Sequence, residues 1–488
     1  MRVMEDEDLG GIKMALPNHK TKIVCTIGPA SESKEVMEQM IRAGMNVARL
    51  NFSHGDFSSH EKTIKNLRAA SQLTGHRLAI MADLPGPKMR IGQFSKEPIE
   101  LRIGDPFTLT TDNIVGDSSR VSVSFSRLPQ AVKPGDRLYL NDGLIQLEVV
   151  KVEGADVRCR VLVGGELRSK KGLNLPGIDL GIRAFTEQDQ RWLAFAKEQG
   201  LDAVSQSFVE GAADIAAVRQ AAADLNYHPF LIAKIERSRA LERIDEILEV
   251  TDGIMIARGD LGVEIPIEEI AVVQKRLMRL SNMHAKPVIT ATQMLESMTE
   301  NRRPTRAEAT DVANAILDGT DCVMLSGESA MGKYPVDAVA MLAKIAASVE
   351  TRRPPIAVKE LYRGVDITGR IRPEHLIAIG VEACLEYVSP AAVFVPTHGG
   401  TTARSIGRFR FPVWTIAVSS QMATCQQLQF SSGVYSVLEP EHPEQWKAYV
   451  RRWVTELGIA GELAVLTEGP STKHPEANHR MEIIDLRR

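Results

Sequence analysis

The chain has 488 residues, with 59 Lys and Arg against 62 Asp and Glu, a formal net charge of -3. That length exceeds one ordinary core and predicts roughly two to four domains. The near-neutral balance excludes a general affinity for nucleic acid or an anionic membrane, so an anionic ligand must be held by local charges. No apolar stretch approaches the length of a membrane span, and Met1 to Asn18 lacks the basic start and apolar centre of a secretory signal. A soluble, cytoplasmic protein is expected. Cys25, Cys159, Cys322, Cys384 and Cys425 have no paired spacing, which predicts reduced thiols that fill the core.

After an N-terminal extension over 1–20, β-branched runs begin at Lys22, Asn46, Leu78, Ala203, Phe230, Gly253, Pro287 and Asp321. Helical patterns separate most of them: Lys34 to Ala43, His60 to Leu73, Asp214 to Leu225, Ile267 to His284 and Arg306 to Leu317. Eight such alternations predict an α/β fold, with a closed (β/α)8 barrel over 21–87 and 179–352 as the leading architecture and an open doubly wound sheet as the alternative. The rhythm breaks over 88–178, where hairpin runs flank the turn signal Asn141-Asp142-Gly143. A small all-β domain inserted there would act as a lid over the barrel mouth. Arg352-Arg353-Pro354-Pro355 is a linker, and 356–488 is expected to form a separate C-terminal, Rossmann-like α/β domain with strands at Ala391 to Pro396, Val413 to Val418, Val434 to Val437 and Leu463 to Leu466.

Two apolar runs end in charge, at Lys234-Ile235-Glu236 and at Ala257-Arg258-Gly259-Asp260. Burying unpaired charge costs several kcal/mol, so these groups serve one another or a ligand. An ammonium beside two carboxylates suits a metal-held phosphoryl or enolate site. In a barrel the other strand ends would converge there too: Thr26, the run Arg49-Leu50-Asn51-Phe52-Ser53-His54, the run Asp83 to Arg90, Gln206-Ser207-Phe208, Thr292 and Ser326.

Arg49-Leu50-Asn51-Phe52-Ser53-His54-Gly55, Lys234-Ile235-Glu236, Ala257 to Gly262, and Ala291 to Met298 together make the chain resemble pyruvate kinase from about Thr21 to its end. The resemblance implies phosphoryl transfer from phosphoenolpyruvate to ADP, then protonation of the enolate to pyruvate. It implies Mg2+, or Mn2+ in its place, on Glu236 and Asp260; Lys234 as the charge clamp on the phosphoryl group in flight; and Arg49 and Arg90 on phosphate oxygens. Gly259, Asp260 and Thr292 would hold the substrate carboxylate, and Thr292 with Ser326 a water that protonates the enolate. Asn51, His54, Arg90, Asp142 and Lys171 would face the nucleotide.

The chain also departs from the family pattern. Members that need K+ hold it at positions that map to Asn51, Ser53, Asp83 and Leu84, and usually read Asp-Thr-Lys-Gly-Pro-Glu where this chain reads Asp83-Leu84-Pro85-Gly86-Pro87-Lys88. Lys88 supplies the single positive charge of K+, so K+ is not expected to be required. In the C-terminal domain Thr397-His398-Gly399-Gly400-Thr401-Thr402 opens a helix with small residues and hydroxyls, the composition of a phosphate cradle. By resemblance it would take a phosphorylated allosteric activator, and the enzyme would be a homotetramer. Another Mg2+-dependent barrel enzyme that makes an enolate is disfavoured by the inserted lid. An inactive metabolite sensor is disfavoured by the presence of Arg49, Lys234, Glu236 and Asp260.

Overall fold

The computed structural model describes residues 16–363, 372–470, 476 and 478–487, so most of the expected N-terminal extension lies outside the described residues. The chain forms two compact units: Ile23–Ala340, and the described residues up to Lys22 together with those from Met341 on.

Eight parallel strands close into the barrel: Lys22–Thr26, Val47–Asn51, Ala79–Leu84, Ala203–Gln206, Phe230–Ile235, Gly253–Ala257, Val288–Ala291 and Cys322–Leu325, each beside the next in chain order. Their residues are buried on both faces, as expected where helices pack outside a closed barrel and side chains fill its interior. Four strands start one residue later than the sequence suggests, and two of the displaced residues have another task. Asn46 Oδ1 accepts from Ile23 N–H at 2.9 Å, and Asp321 Oδ2 from Val288 N–H at 3.1 Å. Asp202 Oδ2 does the same for Ile80 N–H at 2.8 Å, and Asp252 Oδ2 for Leu231 N–H at 2.9 Å. Each acceptor precedes the second, fourth, sixth or eighth strand and seals the strand before it, so the barrel floor repeats by pairs of strands.

Helix Lys34–Ala43 has the predicted bounds, with the Ser33 side chain accepting from Val36 N–H at its start and Gly44 at φ 123° after its end. Helix Phe57–Thr74 begins three residues before the predicted His60, because Asp56 and Ser59 form a reciprocal cap. The run from Ile267 divides into a 3-10 turn, Ile267–Glu269, and an α-helix, Ile270–Met283.

Between the third and fourth barrel strands lies a six-stranded sheet in the order Leu173–Asn174, Arg137–Leu140, Ile145–Glu153, Asp156–Val163, Pro106–Thr110 and Arg120–Ser122. Its inward residues, among them Phe107, Leu138, Leu147 and Val157, build a core of their own. The hairpin at Asn141, Asp142 and Gly143 has φ values of 52°, 56° and 86°, the left-handed turn its sequence predicts.

In the other unit, Val434–Leu438, Trp414–Ser419, Ala392–Pro396 and Leu463–Glu468 are parallel neighbours in that order, and Arg480–Asp485 adds an antiparallel edge. The sequence did not announce this fifth strand: Arg480 to Ile483 are exposed and its charges interrupt the apolar pattern. None of the five cysteines is in a disulfide. Among the described residues no helix is long and apolar enough to cross a membrane.

Candidate active site

The carboxyl ends of the barrel strands bring the predicted charges into one interlocked group. Asp83 on the third strand pairs in register with Ser205 on the fourth, whose hydroxyl donates to Asp83 Oδ1 at 2.8 Å. Arg49 on the second strand donates to Asp83 through Nε at 2.9 Å and through Nη2, while Nη1 reaches Thr26 Oγ1 at 2.8 Å. Lys234 Nζ, on the fifth strand, donates to Ser207 Oγ at 2.7 Å and lies 2.8 Å from Glu236 Oε1 and 3.3 Å from Asp83 Oδ1. Every one of these groups is nearly out of solvent.

Burial would raise the Asp83 carboxyl, but Arg49 and Lys234 outweigh it and hold the group down at about 2. Burial likewise opposes the charge on Lys234, yet Asp83 and Glu236 prevail and lift its pKa above the usual lysine value. Lys234 is therefore a fixed ammonium rather than a base.

Asp260 differs from the strand-end position expected for it. The sixth strand stops at Ala257, and Arg258–Glu264 is a short helix with Asp260 in its first turn. Burial, then repulsion from Glu236, raises the Asp260 carboxyl to about 6, with Lys234 and Lys88 opposing. Glu236 Oε2 accepts from Phe208 N–H at 2.8 Å. Among the described residues no group of three or more metal-type ligands is preassembled, so Glu236 and Asp260 offer two hard oxygen donors whose mutual repulsion a divalent cation would relieve. That donor set fits Mg2+ or Mn2+, with water and substrate oxygens completing the shell.

Lys88 is also at this mouth. Burial lowers its pKa, as does Arg90, while Asp260 and Glu236 act in the opposite direction. His54 is lowered by burial and then by Lys88, Arg90 and Arg49, which places three cations near its ring. The oxygens expected to bind K+ have protein partners: Asp83 as above, Leu84 O from Ser207 Oγ at 2.8 Å, and Asn51 Oδ1 from Ser53 N–H at 3.1 Å. Arg90 Nη1 donates to Lys170 O at 2.7 Å, joining the two hinge crossings of the inserted sheet, and Ile91 N–H donates to Lys171 O. Asp142, at the hairpin tip, is near enough to oppose ionisation of Asp260.

Thr292 has φ +72° and Gln293 +53°, an unusual conformation for a β-branched residue. Its Oγ1 accepts from Gly259 N–H at 2.8 Å and donates to Ala291 O at 2.6 Å, so the Gly259 amide expected to face a substrate carboxylate points at Thr292 instead. Arg258 holds the turn, donating to Thr292 O at 2.7 Å. Ser326 caps a four-residue helix, Gly327–Ala330, and its N–H donates to Glu328. Sequence reasoning placed Thr26 and Ser207 at the mouth without specific roles and passed over Ser205, yet all three hold the charged group together. Thr26 and Ser205 lie in register with Arg49 and Asp83 on neighbouring strands, a pairing that appears only once the barrel has closed.

The loop Thr397–Thr402 belongs to the other unit. Thr397 Oγ1 accepts from Gly400 N–H at 2.9 Å, Gly400 has φ +81°, and helix Thr401–Gly407 follows. Arg404 folds back to donate to Gly399 O at 2.7 Å.

Comparison with known proteins adds independent support. The pyruvate kinase barrel-domain family matches residues 18–339, and the pyruvate kinase alpha/beta-domain family matches 375–484. Pyruvate kinase of Thermococcus litoralis is 45% identical over 476 residues, which cover 97% of this chain and 100% of that one. The Geobacillus stearothermophilus pyruvate kinase is 44% identical over 427 residues, covering 86% of this chain and 72% of its own. A solved pyruvate kinase from Cryptosporidium parvum superposes with a TM-score of 0.89 at 35% identity and covers 96% of each chain. With the barrel, the inserted sheet and the charged mouth already in place, the chain belongs to the pyruvate kinase family and is an enzyme of that activity.

Proposed function

We propose that the barrel mouth transfers the phosphoryl group of phosphoenolpyruvate to ADP with a divalent cation on Glu236 and Asp260, without K+, and under control of a phosphorylated effector. The observation that carries the reading is Lys234, fixed as an ammonium between Asp83, Glu236 and Ser207. In the reaction the bond between phosphorus and the bridging oxygen of phosphoenolpyruvate breaks and one to the terminal phosphate oxygen of ADP forms. The bridging oxygen keeps the electron pair as an enolate, whose carbon then takes a proton. Lys234 neutralises charge on the phosphoryl group and then on the enolate oxygen. Arg49 and Arg90 bind phosphate oxygens, and Thr292 with Ser326 orients the water that delivers the proton. Bound Mg2+ or Mn2+ supplies the positive charge that lets two carboxylates accept an anionic substrate. Asn51, His54, Asp142 and Lys171 face the nucleotide.

Lys88 serves in place of a monovalent cation. Its ammonium would bring a single positive charge among Arg90, Asp260, Lys234 and Glu236. The coupled assay of pyruvate formation, run in tetramethylammonium buffer, is expected to give full rate without K+; a tenfold or larger gain on adding KCl overturns this reading. Omitting divalent metal is expected to abolish the rate.

The loop Thr397–Thr402 is the effector site, a proposal supported by its small residues and the left-handed Gly400. Replacing Thr401 and Thr402 by Glu is expected to remove activation by sugar phosphates or nucleotides; unchanged activation places the site elsewhere. Family likeness extends the proposal to a cytoplasmic homotetramer, to be checked by sedimentation.

A further inference from the structure

Arg237 follows Glu236, and its side chain is only 2% exposed. A guanidinium keeps its proton even when buried, so its neighbours must compensate the charge. Those neighbours lie on three separate pieces of the molecule. Nη2 donates to Ile178 O at 3.2 Å, in the segment by which the inserted sheet returns to the barrel. The same nitrogen lies 3.5 Å from Glu210 Oε1, beyond the fourth strand. Nη1 lies 3.6 Å from Glu264 Oε1, at the end of the helix that carries Asp260.

The surroundings reinforce each contact. Glu264, 1% exposed, accepts through Oε2 from Ser238 N–H and Oγ, both at 3.3 Å. Arg239 Nη1 is 2.9 Å from Asp179 Oδ2 and 3.3 Å from Glu210 Oε2, so the return segment is held at two successive residues. From the inserted sheet, Arg127 Nη1 donates to Gly181 O at 2.6 Å. Yet Arg237 Nε, Arg237 Nη1 and Glu264 Oε1 are buried without a hydrogen-bond partner. Contacts at 3.5 and 3.6 Å are ion pairs a few tenths of an ångström short of hydrogen bonding, and a small movement would complete them.

We propose that Arg237 is a positioning residue that couples the lid's return segment to the separation of Glu236 and Asp260. Movement of Ile178 shifts the guanidinium, the guanidinium draws Glu264, and Glu264 carries the helix bearing Asp260. The divalent-cation site is thereby tightened when the lid closes. This rests on the reading of Glu236 and Asp260 as cation ligands.

The test uses the full chain and Mn2+ alone, titrated by electron paramagnetic resonance without substrate, together with hydrogen exchange over residues 176–182. Groups that orient metal ligands without touching the metal typically alter affinity by about 10- to 100-fold. Arg237→Met is therefore expected to weaken Mn2+ binding about tenfold or more and to speed exchange in the return segment, and Arg237→Lys to restore part of both. In steady state the KM for ADP is expected to rise more than the KM for phosphoenolpyruvate. Wild-type protein that binds no Mn2+ overturns the cation reading itself and this proposal with it. Normal wild-type binding beside a folded Arg237→Met of unchanged affinity and exchange overturns the proposal alone. Should Arg237→Met not fold, Arg237→Lys and Glu210→Gln decide: a loss of affinity of about threefold in each supports the coupling, and wild-type behaviour in both overturns it.

Discussion

At the floor of the barrel Asp202, Asp252 and Asp321 each accept a backbone N–H from the preceding strand, Asp252 also pairing with the half-exposed Arg219, whereas at the mouth Asp83, Glu236 and Asp260 meet buried cations or one another. Both sets lie at or just beyond the ends of barrel strands, and both are at least partly withdrawn from water. The floor carboxylates complete hydrogen bonds that a shorter strand would leave open. At the mouth, charge is gathered beyond what the fold requires. A carboxylate's partner therefore says more about its purpose than its position on a strand.

The largest effect separating the two ends is expected at Lys234. Lys234→Met removes the ammonium that Asp83 and Glu236 surround, and the coupled assay should show a fall in kcat of about 1000-fold or more. A loss under tenfold in a folded variant would erase the distinction drawn for the mouth. Arg49→Lys keeps the charge but cannot bind Asp83 and Thr26 with one fork, and kcat/KM for phosphoenolpyruvate should drop about 100-fold. Lys88→Glu, which places the family's more usual residue there, should cost about tenfold in K+-free buffer, most of it recovered on adding KCl.

The smallest effect belongs to the floor. Burial raises the Asp202 carboxyl to about 6, against the opposing bond from Ile80 N–H. A folded-state value above the unfolded one means the folded protein binds the proton more tightly. The stabilisation is complete at pH below the unfolded value near 4 and is lost as pH rises through 6. Asp202→Asn reproduces the arrangement that Asn46 already makes before the second strand. It should leave kcat within about twofold and raise Tm by a few degrees at pH 8, with the gain vanishing near pH 4 by calorimetry. A pH-independent shift, or a large loss of activity, would show that floor and mouth are not separable.

Much of the barrel was legible because its signal is local. Eight β-branched runs between amphipathic segments can bury their apolar faces in few ways, and Asn141-Asp142-Gly143 specifies a left-handed turn from three residues. Lys234, Glu236 and Arg49 stood out because charge at the end of an apolar run has no local explanation. Ser205, Ser207 and Arg237 did not, since a serine in a strand or an arginine in a loop is ordinary until its neighbours are known. Gly259 and Gly262 weaken the propensity of helix Arg258–Glu264, so the sequence by itself marks a helix start near Gly259 and Asp260 but not its extent. Contacts with the seventh strand, through Thr292 and Arg258, hold it in place.

By itself the sequence determined the alternation of strands and helices, the place of the insertion, and which charged residues needed a purpose, because periodicity and desolvation cost act within a few residues. Tertiary structure alone decided who meets whom. Residues far apart in sequence, such as Asp83 and Lys234 or Arg237 and Ile178, become partners only when the barrel closes and brings strand ends and hinge together. Their charge states are set there too: electrostatic interaction depends on distance and burial, and neither exists before the chain has folded.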